Sequence, residues 1–219
     1  MLNKSVSSPL VCFLMLLLCS CASFQDQELA RPEQWVSVSG PKPTVLVSIS
    51  CRAGDPKAVL SEGRCSRLGQ YQRAEDLQPL FDKLLAESGY FSAYRFAPNI
   101  LDADYTLELR LTNHFHDSNY HPLDMMANFA NRISLGLIPA FDSDRYVLEA
   151  RVLSRSKQSL ASVSNTDSTT NWSGIWLLPV TSYPPSKSEY RAFEGTVSNQ
   201  LRVALDDLVN RGALSKPAR

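Results

Sequence analysis

The 219-residue chain has no net charge, with 22 Lys and Arg against 22 Asp and Glu. A protein that neutralises nucleic-acid phosphates needs a basic excess or stripe, so this balance leaves no electrostatic footprint for such a partner. A membrane-spanning helix needs about 20 apolar residues. The run Leu10 to Leu18 is about half that length and is followed at once by polar sequence, which argues against spanning. The signatures of readable catalysis are missing as well. There is no Gly-x-Ser-x-Gly elbow, no His-Glu-x-x-His and no glycine loop to cradle phosphate. No Cys-x-x-Cys points to redox work. No internal repeat points to a solenoid.

What is present starts at the N-terminus. Lys4 supplies one positive charge, Leu10–Leu18 a short apolar core, and Leu18-Cys19-Ser20-Cys21 a small residue before a cysteine. Charge, apolar core and small-residue cut together make a secretory signal. A cut site ending in cysteine resembles the lipobox of bacterial lipoproteins. The resemblance implies cleavage after Ser20, a lipid on Cys21 and attachment to the membrane through that lipid. Ala22 and Ser23 follow Cys21, with no Asp directly after it. In such lipoproteins this implies sorting to the outer membrane, facing the periplasm. A plain secretory signal with full release is the alternative.

Cleavage leaves 199 residues, with 21 basic and 22 acidic side chains. Cys12 and Cys19 leave with the signal and Cys21 takes the lipid, so Cys51 and Cys65 remain as a pair. In an oxidising compartment they are expected to form a disulfide. It would close a 15-residue loop of low apolar content and contribute about 3 kcal/mol through loop-closure entropy.

The expected organisation is a signal peptide over 1–20, a lipid anchor and flexible tether over 21–42, one domain over 43–212 and a disordered tail over 213–219. The tether is polar, with Pro32, Pro41 and Pro43. As a flexible coil it would span roughly 25 Å. Thr44–Ser50 is short and β-branched, hence a strand. Arg73–Ser88 carries Leu77, Leu80, Phe81, Leu84 and Leu85 at helical spacing, with Gly89 placed to cap its end and Pro79 as a difficulty near its start. Tyr90–Ala97 reads as a strand. In Ala103–Phe115, Tyr105, Leu107, Leu109 and Leu111 alternate with polar residues, as on a sheet with one dry face. Arg145–Ser154 and residues 159–170 read as a hairpin, and Glu189–Arg211 as the main helix. The expected fold is α+β: a single antiparallel or mixed sheet of about five strands, two main helices packed on it, and a short helical insertion. The strand-helix-strand-strand opening, the hairpin and the closing helix resemble, in element order, the α/β domain of the TolB amino-terminal region and of several periplasmic lipoproteins.

Three places carry chemistry worth weighing. His114, His116 and His121 lie close together, and His114 and His116 would share one side of a strand. They are the candidate ligands of a zinc or copper site; the ordinary reading, a polar strand end entering a loop, is preferred, and no metal or other cofactor is expected. Asp206-Asp207 is a carboxylate pair on the solvated side of the last helix, with no enzyme expected from it. Residues 122–141 hold Leu123, Met126, Phe129, Ala130, Ile133 and Leu137 at approximate helical spacing, with Arg132 as their only basic residue. Cover for the core is the first reading of this insertion. A partner surface centred on Met126 and Phe129 is the second, and membrane contact the third. The expected function is that of a non-enzymatic envelope lipoprotein that binds or positions another envelope component. A metal- or ligand-binding protein built on the three histidines and a hydrolase without a readable motif are the alternatives.

Overall fold

The computed structural model describes residues 21–30, 32, 34–54, 60–66, 70–99, 102–114, 122–134, 137–174 and 185–215. Strand β2 (Thr44–Gly54) runs parallel to β5 (Tyr105–His114) from the pair Val45–Tyr105 to the pair Gly54–His114. β5 is antiparallel to β6 (Ala140–Ser154), and β6 to β7 (Ser159–Ser173). Three of these strands, β2, β5 and β6, carry the alternation read from the sequence. Val45, Val47, Leu107, Leu109, Leu111, Leu148, Ala150 and Val152 are buried on one face. Ser48, Ser50, Glu108, Arg110, Glu149 and Arg151 stand on the other. A strand points successive side chains to opposite sides, so one register sets both faces.

The dry face is covered by helices α1 (Ala74–Ser88) and α3 (Pro185–Asn210). Leu77, Phe81, Leu84 and Leu85 of α1 join Phe193, Val197, Leu201, Ala204, Leu205 and Leu208 of α3 in one core. Each fully buried Leu or Phe there contributes about 2 kcal/mol of transfer free energy. Helix α1 starts ahead of Pro79. The Asp76 Oδ2 accepts the Arg73 backbone N–H at 2.8 Å, which holds the first turn. Pro79 then costs a single early hydrogen bond on an exposed side of the helix. Gly89 ends α1 at φ 62°, a left-handed conformation that glycine adopts without strain.

The fold class is the α+β single mixed sheet expected, but the sheet has seven strands among the described residues, not about five. The two additions are short edges. β3 (Ser61–Glu62) pairs with Arg52 and Ala53 of β2. β1 (Cys21–Gln25) pairs antiparallel with the end of β7. β4 (Ala93–Phe96) pairs parallel with the start of β2 and is shorter than the expected strand over 90–97. The sheet runs in the order β1-β7-β6-β5-β2-β3, with β4 also beside β2.

Two boundaries move for the same reason, which is contact with the body. The segment 21–42 is not a free tether over its length: 21–25 is a strand, and Trp35, Val36 and Val38 pack against the core. The expected tail from 213 begins on the body too. Leu214 is buried and Tyr105 Oη donates to the Ser215 carbonyl at 2.7 Å.

Candidate functional site

The end of the sheet that carries Cys21 also carries the helix of Met126 and Phe129. Cys21 is the first residue of β1 and lies opposite Ser173 of β7, which in turn lies opposite Ala140 of β6. Ala22 is buried opposite Trp172. Further along β1, the Gln25 side chain crosses helix α3 at Gly195, with Nε2 donating to the Arg191 carbonyl at 3.4 Å. A Cβ on Gly195 would fall 1.4 Å from that nitrogen, so the glycine leaves the room that the Gln25 amide occupies over the helix.

Polar contacts continue the fastening past β1. Ser168 Oγ donates to Asp26 Oδ2 at 2.6 Å, Asp167 Oδ1 accepts the Glu28 backbone N–H at 3.2 Å, and Asn199 Nδ2 donates to the Leu29 carbonyl at 3.0 Å. Burial pushes the Asp167 carboxyl above the usual range, and the nearby carboxylates Glu28 and Asp26 push the same way; the backbone N–H groups of Ser168 and Glu28 oppose them.

Helix α2 (Pro122–Ile133) lies beside this end, against β6. Its orientation is the reverse of that expected for a core cover. Asn131 turns toward the sheet, its Nδ2 donating to the Ile138 carbonyl at 2.6 Å and to the Ser173 carbonyl at 3.1 Å. Met126, Phe129 and Ile133 follow at spacings of three and four and are 66%, 65% and 67% exposed. Asn131 is about half a turn from Phe129 and Ile133 around the helix, so bonding it to the sheet sends that stripe outward. The core-cover reading of Met126 and Phe129 is therefore corrected. Ile138, Phe141 and Trp172 are also partly open, and the rings of Phe141 and Trp172 stand 5.2 Å apart. The strand expected from Arg145 begins earlier, at Ala140, so that Phe141 belongs to β6 and not to the helical insertion. The signal was present in the alternation of Ala140, Asp142 and Asp144 with Phe141 and Ser143, but aspartates on the inward side disguised it.

The face of the sheet opposite α1 and α3 offers a different surface. A shallow groove of about 210 Å³ is lined by Ser48, Ser50, Glu108, Arg110, Glu149 and Arg151. Arg110 stands opposite Glu149 across the strands and Glu108 opposite Arg151. Glu149 reaches Arg151 at 3.2 Å and Arg110 at 3.9 Å. Such partly exposed pairs contribute up to about 1 kcal/mol each and help hold register.

No family model and no curated protein matches the chain. Among solved structures it is similar to the protein XCC0632 of Xanthomonas campestris, described as family-model DUF330. The identity is 15%, over 84% of this chain and 95% of that one, with a TM-score of 0.45. It is also similar to a dodecamer of a PelC variant from Paraburkholderia phytofirmans, at 11% identity over the same shares, with a TM-score of 0.32.

The other sequence candidates separate in space. Cys51 and Cys65 are joined in a buried disulfide with Cα atoms 4.7 Å apart. His114 ends β5, while His116 and His121 lie outside the described residues. Among the described residues no three His, Cys, Asp or Glu side chains group to hold a metal ion. Asp206 and Asp207 do not act as a pair. Asp207 ion-pairs with Arg211 at 2.7 Å on the surface, whereas Asp206, expected in solvent, is buried and accepts the Tyr90 hydroxyl. No helix among the described residues is long and apolar enough to cross a membrane.

Proposed function

We propose that the protein is a non-enzymatic lipoprotein of the bacterial envelope, anchored through Cys21 to the periplasmic face of the outer membrane, where it binds or positions another envelope component. The observation that carries the reading is the place of Cys21. The lipobox-like cysteine is not separated from the body by a linker; it is the first residue of an edge strand of the sheet. A lipid there would hold the domain at a fixed attitude to the membrane, which is what a positioning role requires. The Cys51–Cys65 disulfide suits an oxidising compartment. The charged groove between Ser48 and Arg151 is the surface we assign to the partner, since its side chains alternate in sign and face away from both main helices.

The test is fractionation with mass analysis of the mature N-terminus. Wild type is expected in outer membranes with an acylated Cys21, and Cys21→Ser in the soluble periplasmic fraction. An unmodified Cys21 in wild type, or a Cys21→Ser protein that stays with membranes after carbonate washing, defeats the anchor. For the partner, photo-crosslinkers at Ser48 and Ser50 are expected to capture a defined envelope component that Arg110→Glu abolishes.

A further inference from the structure

The outward stripe of α2 and the exposed rings at the end of the sheet have no cover among the described residues. From their place we infer that the surface formed by Met126, Phe129, Ile133, Ile138, Phe141 and Trp172 is a second membrane contact, lying in the lipid interface beside the Cys21 anchor. The inference rests on the anchor reading for its choice of occupant.

The geometry that selects lipid is continuous from the anchor to the stripe. Cys21 pairs with Ser173, the Ser173 carbonyl accepts the Asn131 amide, and Asn131 is on the helix that turns Met126, Phe129 and Ile133 outward. Trp172 precedes Ser173 and touches Phe141. A chain gains at most about 3.6 Å of reach per residue of linker, and here no residue intervenes between Cys21 and the sheet. Acyl chains on Cys21 would therefore bring the bilayer surface to this end of the molecule. A protein partner or a second copy would have to enter between the domain and its own membrane. The chemistry agrees. Aromatic rings and flexible aliphatic side chains favour the headgroup boundary, where apolar area is buried without spanning. Arg132 is the only basic residue from 122 to 141, so the contact depends on apolar burial and not on anionic lipid.

The test supplies the anchor chemically, so that it does not depend on natural lipidation. The chain from Cys21 onward contains every described residue of the fold, and with Cys51 and Cys65 oxidised its free thiol is Cys21. That thiol is coupled to maleimide-headgroup lipid in vesicles of phosphatidylethanolamine and phosphatidylglycerol. With brominated acyl chains, part of the tryptophan emission should be quenched, and that part should be missing in Trp172→Phe. Met126→Asp with Phe129→Asp should relieve the quenching and weaken binding of the uncoupled chain to the same vesicles by about tenfold or more. Both changes are at exposed sites, and circular dichroism reports whether the fold is retained. Equal emission in brominated and plain vesicles overturns the inference. So does self-association that the double variant dissolves, without any quenching. The mass of the native N-terminus judges the anchor reading separately, whatever the vesicles show.

Discussion

The Tyr90 hydroxyl donates to the Asp206 carboxylate and, through the same oxygen, accepts the Val36 backbone N–H at 2.9 Å. One phenol thus joins the end of α1, the C-terminal part of α3 and the segment after β1. Trp35 stands edge-on to Tyr90 at 5.6 Å, and the Arg202 guanidinium lies over the Trp35 ring at 4.5 Å. Burial and the Asp206 carboxylate push the Tyr90 phenol well above its usual range.

Tyr90→Phe should remove both hydrogen bonds while leaving Asp206 buried. A loss of about 1–3 kcal/mol is expected in urea unfolding. Amides of residues 34–38 should exchange faster than in wild type. Wild-type stability and unchanged exchange would mean that the Trp35 packing alone holds the segment.

Asp167→Asn keeps the oxygen that accepts the Glu28 and Ser168 N–H groups and removes a carboxyl whose folded pKa is raised. A raised folded pKa favours the folded state at low pH, and that contribution is lost as pH rises through the folded value. Relative to wild type, the variant should therefore be at its best near neutrality. Its advantage should shrink as pH falls toward the ordinary Asp range. Thermal melts at a series of pH values would show it; an advantage that grows toward acid would contradict the sign.

Replacing Cys51 and Cys65 together by Ala should cost about 3 kcal/mol, from freeing the 15-residue loop in the unfolded chain. In the unreduced mature wild type, thiol labelling should find neither cysteine. Labelling of both in native protein would mean that the pair is not oxidised in its compartment.

Met126→Asp with Phe129→Asp should change stability by no more than about 0.5 kcal/mol per site, because both side chains are exposed. Had they covered the core, the same changes would have put two charges into an apolar site and cost several kcal/mol. Differential scanning calorimetry separates these outcomes.

The sequence and the structure agree where periodicity and burial coincide. In β5 the alternation of Leu107, Leu109 and Leu111 with charged residues reports the sheet directly, and the stripe of α3 from Phe193 to Leu208 does the same for its helix. They disagree where a feature depends on distant partners. β1 reads as Cys-Ala-Ser-Phe-Gln, which carries no strand signal of its own and becomes a strand only because β7 offers an open edge. Asp206 looks like one of two solvated acids until Tyr90 is brought to it. Helix α2 has the right period, but period does not say which way a stripe faces. That is decided by Asn131 and two backbone carbonyls.

The partner of β1 is β7, the last strand of the sheet in sequence. If Cys21 is anchored as proposed, a chain whose residues 159–173 had not yet been delivered would have nothing for Cys21–Gln25 to pair with. Over that interval the segment would be a leash. Completion of the β6–β7 hairpin would turn it into a mount, because pairing β1 with β7 would shorten the link between a lipid on Cys21 and the body to nothing. The pairing joins distant segments, so loop-closure entropy favours forming it after more local contacts. Folding would then draw the finished domain down onto the bilayer with the Trp172 end foremost.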